Sequence, residues 1–222
     1  MTTLLASEGT VIFEDRFERA ENDDSQEQPG NGWGTNSQSR AQGNKQVDLA
    51  DGALHITRHP VADHGVSVVQ DLAFQDAVIE FRFQLGEGDD LGINIADMKE
   101  RSVHAGHICM ARFRPDGVEL TDLKTGRMKL ETRTARKAGT FPASAEDALK
   151  QKTRRIKAKI ATDQWHEAKL TLTGDTLIAE VDGKELGAFS SPGIAHATKS
   201  RIRLAVNRSA WIDDIKVTRL AP

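Results

Sequence analysis

Four histidines beside glycine or small residues are the side chains of this sequence best suited to chemistry. His64, His104, His107 and His196 lie at predicted turns or strand ends. Imidazole is the usual proton carrier near neutral pH and a common metal ligand. We expect several of them to converge on the concave face of a sheet and form a polar pocket. Further polar residues expected in this pocket are Asn94, Asp97, Arg136, Lys137 and Lys199.

The same histidines also have a plainer interpretation, in which they fix loops by hydrogen bonding to the backbone. His55 points outward from a predicted strand and His166 neighbours Trp165, so both are interpreted as structural. His104 and His107 lie in an extended stretch, where residues three apart point to opposite faces. They could share one zinc ion only if a turn intervenes at 105–106, so their spacing is a poor zinc signature.

Residues 124–159 form a basic segment, with twelve Lys or Arg against three Asp or Glu. Such a segment could bind phosphate, a sulfated or carboxylated sugar, or nucleic acid, although most charge runs are solvated faces. Nucleic acid is disfavoured, because the chain has a formal net charge of −3 and no stacking aromatics lie among the cations. Arg136 and Lys137 are the part expected to be functional, because Arg binds carboxylate or sulfate through two hydrogen bonds.

The elements that must position these residues are short strands. In residues 164–220, apolar residues alternate with polar ones, as at Ala168, Leu170 and Leu172, and Asp182-Gly183 predicts a tight hairpin. About a dozen such strands predict an all-β protein, a jelly-roll β-sandwich of two antiparallel sheets. One short helix is expected near 144–152. We expect a single domain at 10–222 after a tail at 1–9.

Length and composition narrow the function further. The 222 residues suffice for one large β domain. No apolar run approaches the roughly 20 residues of a membrane span, so we expect no membrane insertion. Cys109 is the single cysteine, which rules out a disulfide within the chain. The start of the sequence lacks a basic region, so no signal peptide is visible.

Several short motifs carry a resemblance to a known family. Trp165-His166, Gly174-Asp175, the V-D-G-K at 181–184 and the W-I-D-D-I-K-V at 211–217 resemble the concanavalin A-like lectin/glucanase jelly roll. Within that fold, the chain resembles bacterial 3-keto-disaccharide hydrolase domains, which are family-16-like glycoside hydrolases. The closest local matches lie at 63–65, 104–107, 136–137 and 191–199.

The sequence departs from that pattern at two places. Retaining glucanases of this fold carry Glu-x-Asp-x-x-Glu on one strand, and this sequence contains no such motif. A retaining mechanism with two carboxylates is therefore unsupported. The strand at 92–97 reads G-I-N-I-A-D, where the better-described 3-keto-disaccharide hydrolase domains carry an Asn-Ser-Gly-Ile type strand.

The resemblance implies an enzyme that cleaves a 3-keto-sugar or a related glycoside, and the basic segment is compatible with an anionic one. Among the histidines, we expect His107 and His196 to act as base and acid. A 3-keto group acidifies the hydrogen at C2, so a histidine could remove it. The other pocket residues, His64, Asn94, Asp97, His104, Arg136, Lys137 and Lys199, would bind the substrate. Two alternatives stay open: a lectin-like glycan-binding module with the same pocket, and a laminin-G-like interaction domain with no small-molecule site.

The resemblance also implies one structural calcium between the first and last strands, and secretion or a periplasmic location in a bacterium. Asp15 and Asp213 are the candidate ligands, since calcium takes six or more oxygens. By alternation, Asp213 lies on the same strand face as Trp211 and Ile215. If that face points into the core, the carboxylate needs a partner, either a metal or a backbone hydrogen bond. No cofactor is otherwise required.

Overall fold

The computed structural model describes residues 9–221. Residues 1–8 of the predicted tail lie outside the described residues. Two antiparallel sheets pack face to face, which confirms the predicted jelly-roll β-sandwich.

The described residues form fifteen strands. In chain order they are β1 (Thr10–Asp15), β2 (Gly34–Thr35), β3 (Val47–Ala50), β4 (Ala53–Thr57), β5 (Val66–Phe74), β6 (Ala77–Gln84), β7 (Leu91–Ala96), β8 (His107–Arg114), β9 (Gly117–Asp122), β10 (Thr153–Lys157), β11 (His166–Thr173), β12 (Thr176–Val181), β13 (Lys184–Ser190), β14 (Lys199–Val206) and β15 (Ser209–Arg219). The first sheet has the order β13-β12-β11-β6-β15-β4-β3, with β1 also paired to β15. The second sheet has the order β10-β9-β8-β7-β14-β5-β2.

The core lies between the two sheets and follows from period-2 alternation. In β6 every second residue is buried, as the alternating sequence predicts. Phe81 and Phe83 of β6 meet Phe113 of β8, with ring centroids 5.6 and 5.2 Å apart. This aromatic cluster joins the first sheet to the second, so it fixes the position of β8 and of the residues on its other face.

Short helices are more numerous than predicted. The helix expected near 144–152 is present as a 3-10 turn at Ala143–Ala145 followed by α3 (Glu146–Lys150), but α1 (Ser37–Arg40) and α2 (Leu130–Lys137) were not predicted. Helix α2 buries none of its residues, so its sequence has no apolar periodicity to reveal it. None of the helices in the described part of the chain is long and apolar enough to cross a membrane.

The prediction that Trp211, Asp213 and Ile215 share one face of the last strand is wrong. Asp214 has a positive φ of 47°, and the pairing of β15 with β6 shifts between Asp213 and Lys216. This bulge reverses the alternation. Ile215 is fully buried, whereas Trp211 lies on the other face and stacks on His55 at 4.0 Å between ring centroids.

We predict that Phe113→Ala destabilises the fold by about 3–5 kcal/mol, because a fully buried ring would leave a cavity between the sheets. Phe141→Ala is the matched control, since Phe141 is only half-buried and lies beneath the guanidinium of Arg136. It should lose less than about 1 kcal/mol. Urea unfolding measures both losses, and equal losses would contradict the assignment of the core.

Candidate active site

A cavity of about 330 Å³ opens on the face of the second sheet that points away from the core. Strands β5, β7, β8 and β14 contribute side chains to it, together with the loop before β8 and the segment after β9. Its charged and titratable lining consists of three histidines and four arginines, namely His64, His104, His107, Arg40, Arg112, Arg127 and Arg203.

Strand pairing explains why these side chains meet. Arg203 of β14 pairs with Asn94 of β7, and Asn94 pairs with Met110 of β8. Paired residues on neighbouring strands present their side chains on the same face. Ile93 and Leu204, the sequence neighbours of Asn94 and Arg203, are fully buried in the core. Arg203, Asn94 and Met110 therefore face the cavity.

Asn94 orients the ring of His107. The Nδ1 of His107 lies 2.9 Å from Oδ1 of Asn94, and Nδ2 of Asn94 donates to the carbonyl oxygen of Cys109 at 3.3 Å. The amide oxygen therefore faces the ring and accepts its Nδ1–H. This hydrogen-bond pattern assigns the tautomer and leaves Nε2 as the nitrogen that can take a proton. A base oriented by a third group is the arrangement that catalysis uses.

Burial and neighbouring cations keep His107 uncharged. Burial, followed by the charges of Arg203, His104, Arg127 and Arg133, lowers the pKa of His107 to about 3. The nearest of these cations is Arg203, whose Nη1 lies 3.2 Å from Nδ1 of His107. The ring is therefore neutral throughout the physiological pH range.

Arg203 is a buried cation beneath the cavity, with 8% of its surface exposed. Its Nη1 donates to Oδ1 of Asn94 at 3.0 Å, and its Nη2 donates to the carbonyl oxygen of Ala105 at 2.6 Å. Within residues 9–221, no carboxylate lies within ion-pair distance of it. Burial lowers the pKa of Arg203 to about 10, so it stays charged at neutral pH.

A turn between His104 and His107 brings both rings to the cavity. Ala105 has a φ of 49° and Gly106 a φ of 70°, and both values lie in the left-handed region. A Cβ at Gly106 would collide with the carbonyl oxygen of Asp97, so only glycine fits there. The ring centroids of the two histidines lie 6.2 Å apart. A turn at 105–106 was the condition under which the sequence allowed both histidines to reach one site.

His64 and His104 complete the imidazoles of the cavity. The carbonyl oxygen of Gly65 can only accept, so Nδ1–H of His64 donates to it at 2.9 Å. The Nε2 of His64 is left for a ligand. Burial and the charges of Arg133 and Arg203 lower the pKa of His104.

The cavity carries a positive charge. Among the described residues, no Asp or Glu lines it. Arg112 forms an ion pair with Asp90, and Arg40 with Asp63 at 3.5 Å. Arg203 has no such partner, so an anion is the ligand that this cavity favours electrostatically.

His196, Asp97 and Lys199 do not line the cavity, which corrects their expected convergence with His107. The Nδ1 of His196 lies 2.8 Å from Nζ of Lys124, and its Nε2 lies 3.0 Å from Oδ2 of Asp97. Both ring nitrogens are thus engaged. Although burial opposes it, hydrogen bonds from Thr198, the Lys99 backbone and His196 lower the pKa of Asp97 to about 2.

Lys199 is buried, and the reason is local. Its Nζ donates to the carbonyl oxygens of Gln75 at 2.6 Å and His196 at 2.8 Å. The ammonium therefore fastens two loops at the start of β14. Nothing in these contacts gives it access to a ligand in the cavity.

Arg136 and Lys137 lie at the end of α2, outside the cavity. Arg136 donates to both carboxylate oxygens of Glu146, at 2.7 and 2.6 Å, and Lys137 is exposed. Arg136 lines a neighbouring groove of about 690 Å³ that shares Arg127 with the cavity. The predicted functional pair is thus close to the cavity without belonging to it.

Sequence reasoning missed all four arginines of the cavity, Arg40, Arg112, Arg127 and Arg203. For Arg203 a signal existed, because it alternates with the apolar residues Ile202 and Leu204 and so points away from the core. Its partner Asn94 is 109 residues away, and local alternation carries no information on which strands pair.

The contacts of Asp15 do not fit a calcium ligand. Its Oδ1 accepts from the Phe17 backbone at 2.9 Å and from Arg19 at 2.7 Å. Its Oδ2 accepts from Arg19 at 3.0 Å and from Nε1 of Trp33 at 2.8 Å. A cation would have to displace these donors. The contact with Asp15 also anchors the loop that carries Trp33.

Asp213 has different partners. Its carboxylate accepts from Arg82 at 3.2 Å and from the Asp214 backbone at 2.7 Å. Burial raises the pKa of Asp213. Residues 9–221 contain no group of three or more His, Cys, Asp or Glu side chains arranged to hold a metal ion. Structural calcium thus stays a prediction that these contacts do not favour.

Comparisons with known proteins agree with the fold. The structure resembles a laminarinase from Flavobacterium sp. UMI-01 (13% identity, TM-score 0.61, 94% of this chain and 99% of that one) and carbohydrate binding module CBM66 from Bacillus subtilis (12%, 0.52, 83% and 93%). It also resembles part of a sialidase, at 12% identity and a TM-score of 0.62, covering 95% of this chain but 19% of the sialidase. No curated protein sequence matches the chain.

These similarities show a jelly-roll fold that a laminarinase and a carbohydrate binding module share. A family model fixes the assignment further, because the 3-keto-alpha-glucoside-1,2-lyase-like domain matches residues 24–218. The chain belongs to this family.

We predict that His107 makes the fold sensitive to acid. Its folded pKa of about 3 lies below the value of about 6.5 in an unfolded chain. Between these values the unfolded state binds more protons, so stability falls as pH drops from about 6.5. Between pH 7 and about 4.5, wild type should lose about 2 kcal/mol more than His107→Gln. Urea unfolding at both pH values measures this, and equal losses would show that His107 is already protonated or solvated.

Proposed function

We propose that this protein cleaves 3-keto-glycosides by elimination across C1 and C2 of the keto sugar. The family match supports this reaction class. The observation that carries the proposal is the chemistry of the cavity, which offers imidazoles and guanidiniums but, among the described residues, no carboxylate. A neutral imidazole can accept a proton, and guanidiniums stabilise negative charge.

The reaction has two steps. A base takes the proton from C2, and the electron pair moves into the C3 carbonyl to give an enolate. When the carbonyl forms again, a double bond forms between C1 and C2, and the C1–oxygen bond breaks. The departing oxygen takes a proton from an acid. The products are an alcohol and an unsaturated 3-keto sugar, and neither water nor an oxidant is consumed.

We assign the proton transfers to two histidines. His107 is the base, because Asn94 holds its Nδ1–H and leaves Nε2 to accept a proton. His64 is the acid, because its Nδ1–H stays on the Gly65 carbonyl and its Nε2 faces the cavity, where it can pass a proton to the leaving oxygen. His64 thus takes the role that the sequence had suggested for His196, whose ring nitrogens are both engaged elsewhere.

Arg203 is assigned to the enolate. Its charge has no carboxylate partner in the described part of the chain, and the cavity has no anion of its own to compete for it. The enolate is the state in which the substrate carries negative charge. A fixed cation therefore stabilises it more than the neutral ketone, which lowers the barrier to proton removal.

A glycan-binding module and a laminin-G-like interaction domain stay open as alternatives. Binding alone needs the cavity but does not need an imidazole oriented through Nδ1 and kept neutral. The pairing of His107 with Asn94 therefore favours an enzyme. Secretion or a periplasmic location also stays a prediction.

The first experiment compares a phenyl 3-keto-α-glucoside with the plain phenyl α-glucoside as substrates. We expect wild type to release phenol from the keto sugar only, and His107→Ala to lower kcat/KM by at least about 100-fold. His59→Ala is the matched control, since His59 does not line the cavity, and should stay within about twofold. Absence of phenol release by wild type, with or without divalent metal, would favour the binding module.

A second experiment tests Arg203. We expect Arg203→Gln to lower kcat at neutral pH by about 100-fold, through loss of enolate stabilisation. Removal of the cation also raises the pKa of His107, so activity in acid should fail at higher pH than in wild type. A lower kcat with an unmoved acid limb would mean that Arg203 acts on structure alone.

A further inference from the structure

The segment after β9 holds two arginines that, unlike most of its cations, have no acidic partner. Arg127 and Arg133 form no ion pair within residues 9–221. The neighbouring cations are paired, as Lys124 with Glu100, Lys129 with Glu131, Arg136 with Glu146 and Lys150 with Asp147. Lys152 is paired with Asp122 as well, so pairing is common in this segment, and these two guanidiniums and Lys137 are the exceptions to it among the described residues.

Arg127 lies where the cavity meets the groove, and Arg133 lies beside the rim of the cavity. Arg127 lines the cavity and the groove alike. Arg133, on α2, contacts Sδ of Met128 at 3.6 Å, and Met128 lines the cavity. The charges of both act on His107. A substrate whose keto sugar sits beside His107 could therefore reach the groove by passing Arg127, with Arg133 next to its path.

We propose that the leaving group of the substrate carries a carboxylate or sulfate, which Arg127 and Arg133 bind at the junction of the cavity and the groove. This inference rests on the proposed function in taking a glycoside as the occupant. It adds the chemical class of the leaving group.

Three physical arguments support an anion here. A guanidinium binds a carboxylate or sulfate through two parallel hydrogen bonds, which fixes the orientation of the ligand. Arg203 adds a third uncompensated cation, so the local field is positive although the chain has a net charge of −3. The groove, at about 690 Å³, has room for a further sugar or an aromatic ring.

The test compares two keto substrates that differ in one charge, phenyl and 4-carboxyphenyl 3-keto-α-glucoside. We expect wild type to prefer the carboxylate by at least about tenfold in kcat/KM at low salt, and less as salt screens the attraction. Arg127→Gln and Arg133→Gln should each reduce this ratio toward one. Arg219→Gln, which removes the same charge from an exposed position on β15, should leave the ratio unchanged.

Binding measurements separate this inference from the proposed reaction. If wild type cleaves neither keto substrate, calorimetry with the plain phenyl and 4-carboxyphenyl α-glucosides still reads the anion site. Tighter binding of the carboxylate, lost in Arg127→Gln, would support the anion site while the lyase proposal fails. Equal affinities for the two plain glucosides and equal kcat/KM values for the two keto substrates would overturn the anion site. Benzoate binding as tightly as the carboxyphenyl glucoside also overturns it, because the site would then recognise a free anion.

Discussion

The candidate site depends on the contacts that the guanidinium of Arg203 makes. This guanidinium donates hydrogen bonds to Asn94 on β7 and to the backbone of Ala105 in the turn before β8, and it lies 3.2 Å from the ring of His107 at the start of β8. Its position follows from the pairing of β14 with β7 in the middle of that sheet. A buried cation without a counter-ion costs free energy, and its hydrogen bonds offset only part of this cost. An anion bound nearby removes the remainder, so the fold itself favours negative charge in the cavity.

Backbone geometry links this cation to the histidines. The carbonyl of Ala105 reaches Arg203 because the backbone there is left-handed, and the turn is completed at Gly106, where a side chain would meet Asp97. The left-handed conformation costs a non-glycine residue of order 1 kcal/mol. The hydrogen bond to Arg203 offsets that cost. His104 and His107 consequently share the cavity, although they would point apart on a regular strand.

Much of the fold and about half of the site could be predicted from the sequence. Alternation predicted the strands, and side chains at strand ends, including His64, Asn94, His104 and His107, do meet. Local patterns could not reveal that Arg203 pairs with Asn94, nor that Lys124 and Asp97 engage His196, since both sets of contacts are distant in sequence. The alternation predicted for β15 was wrong for another reason, because the single left-handed residue Asp214 reverses all later alternation. Helix α2 could not be predicted because it buries no apolar face.

The sign of the charge in the cavity separates two kinds of glycoside cleavage on one fold. Cleavage by two carboxylates passes through a sugar that gains positive charge, and the acidic residues stabilise it. Removal of a proton beside a ketone passes through an enolate, and carboxylates at the same place would raise its energy. The described lining of this cavity contains arginines and no acids. A jelly roll can thus exchange one chemistry for the other by changing a few side chains on the outward face of its central strands, while the core residues that alternate with them stay apolar.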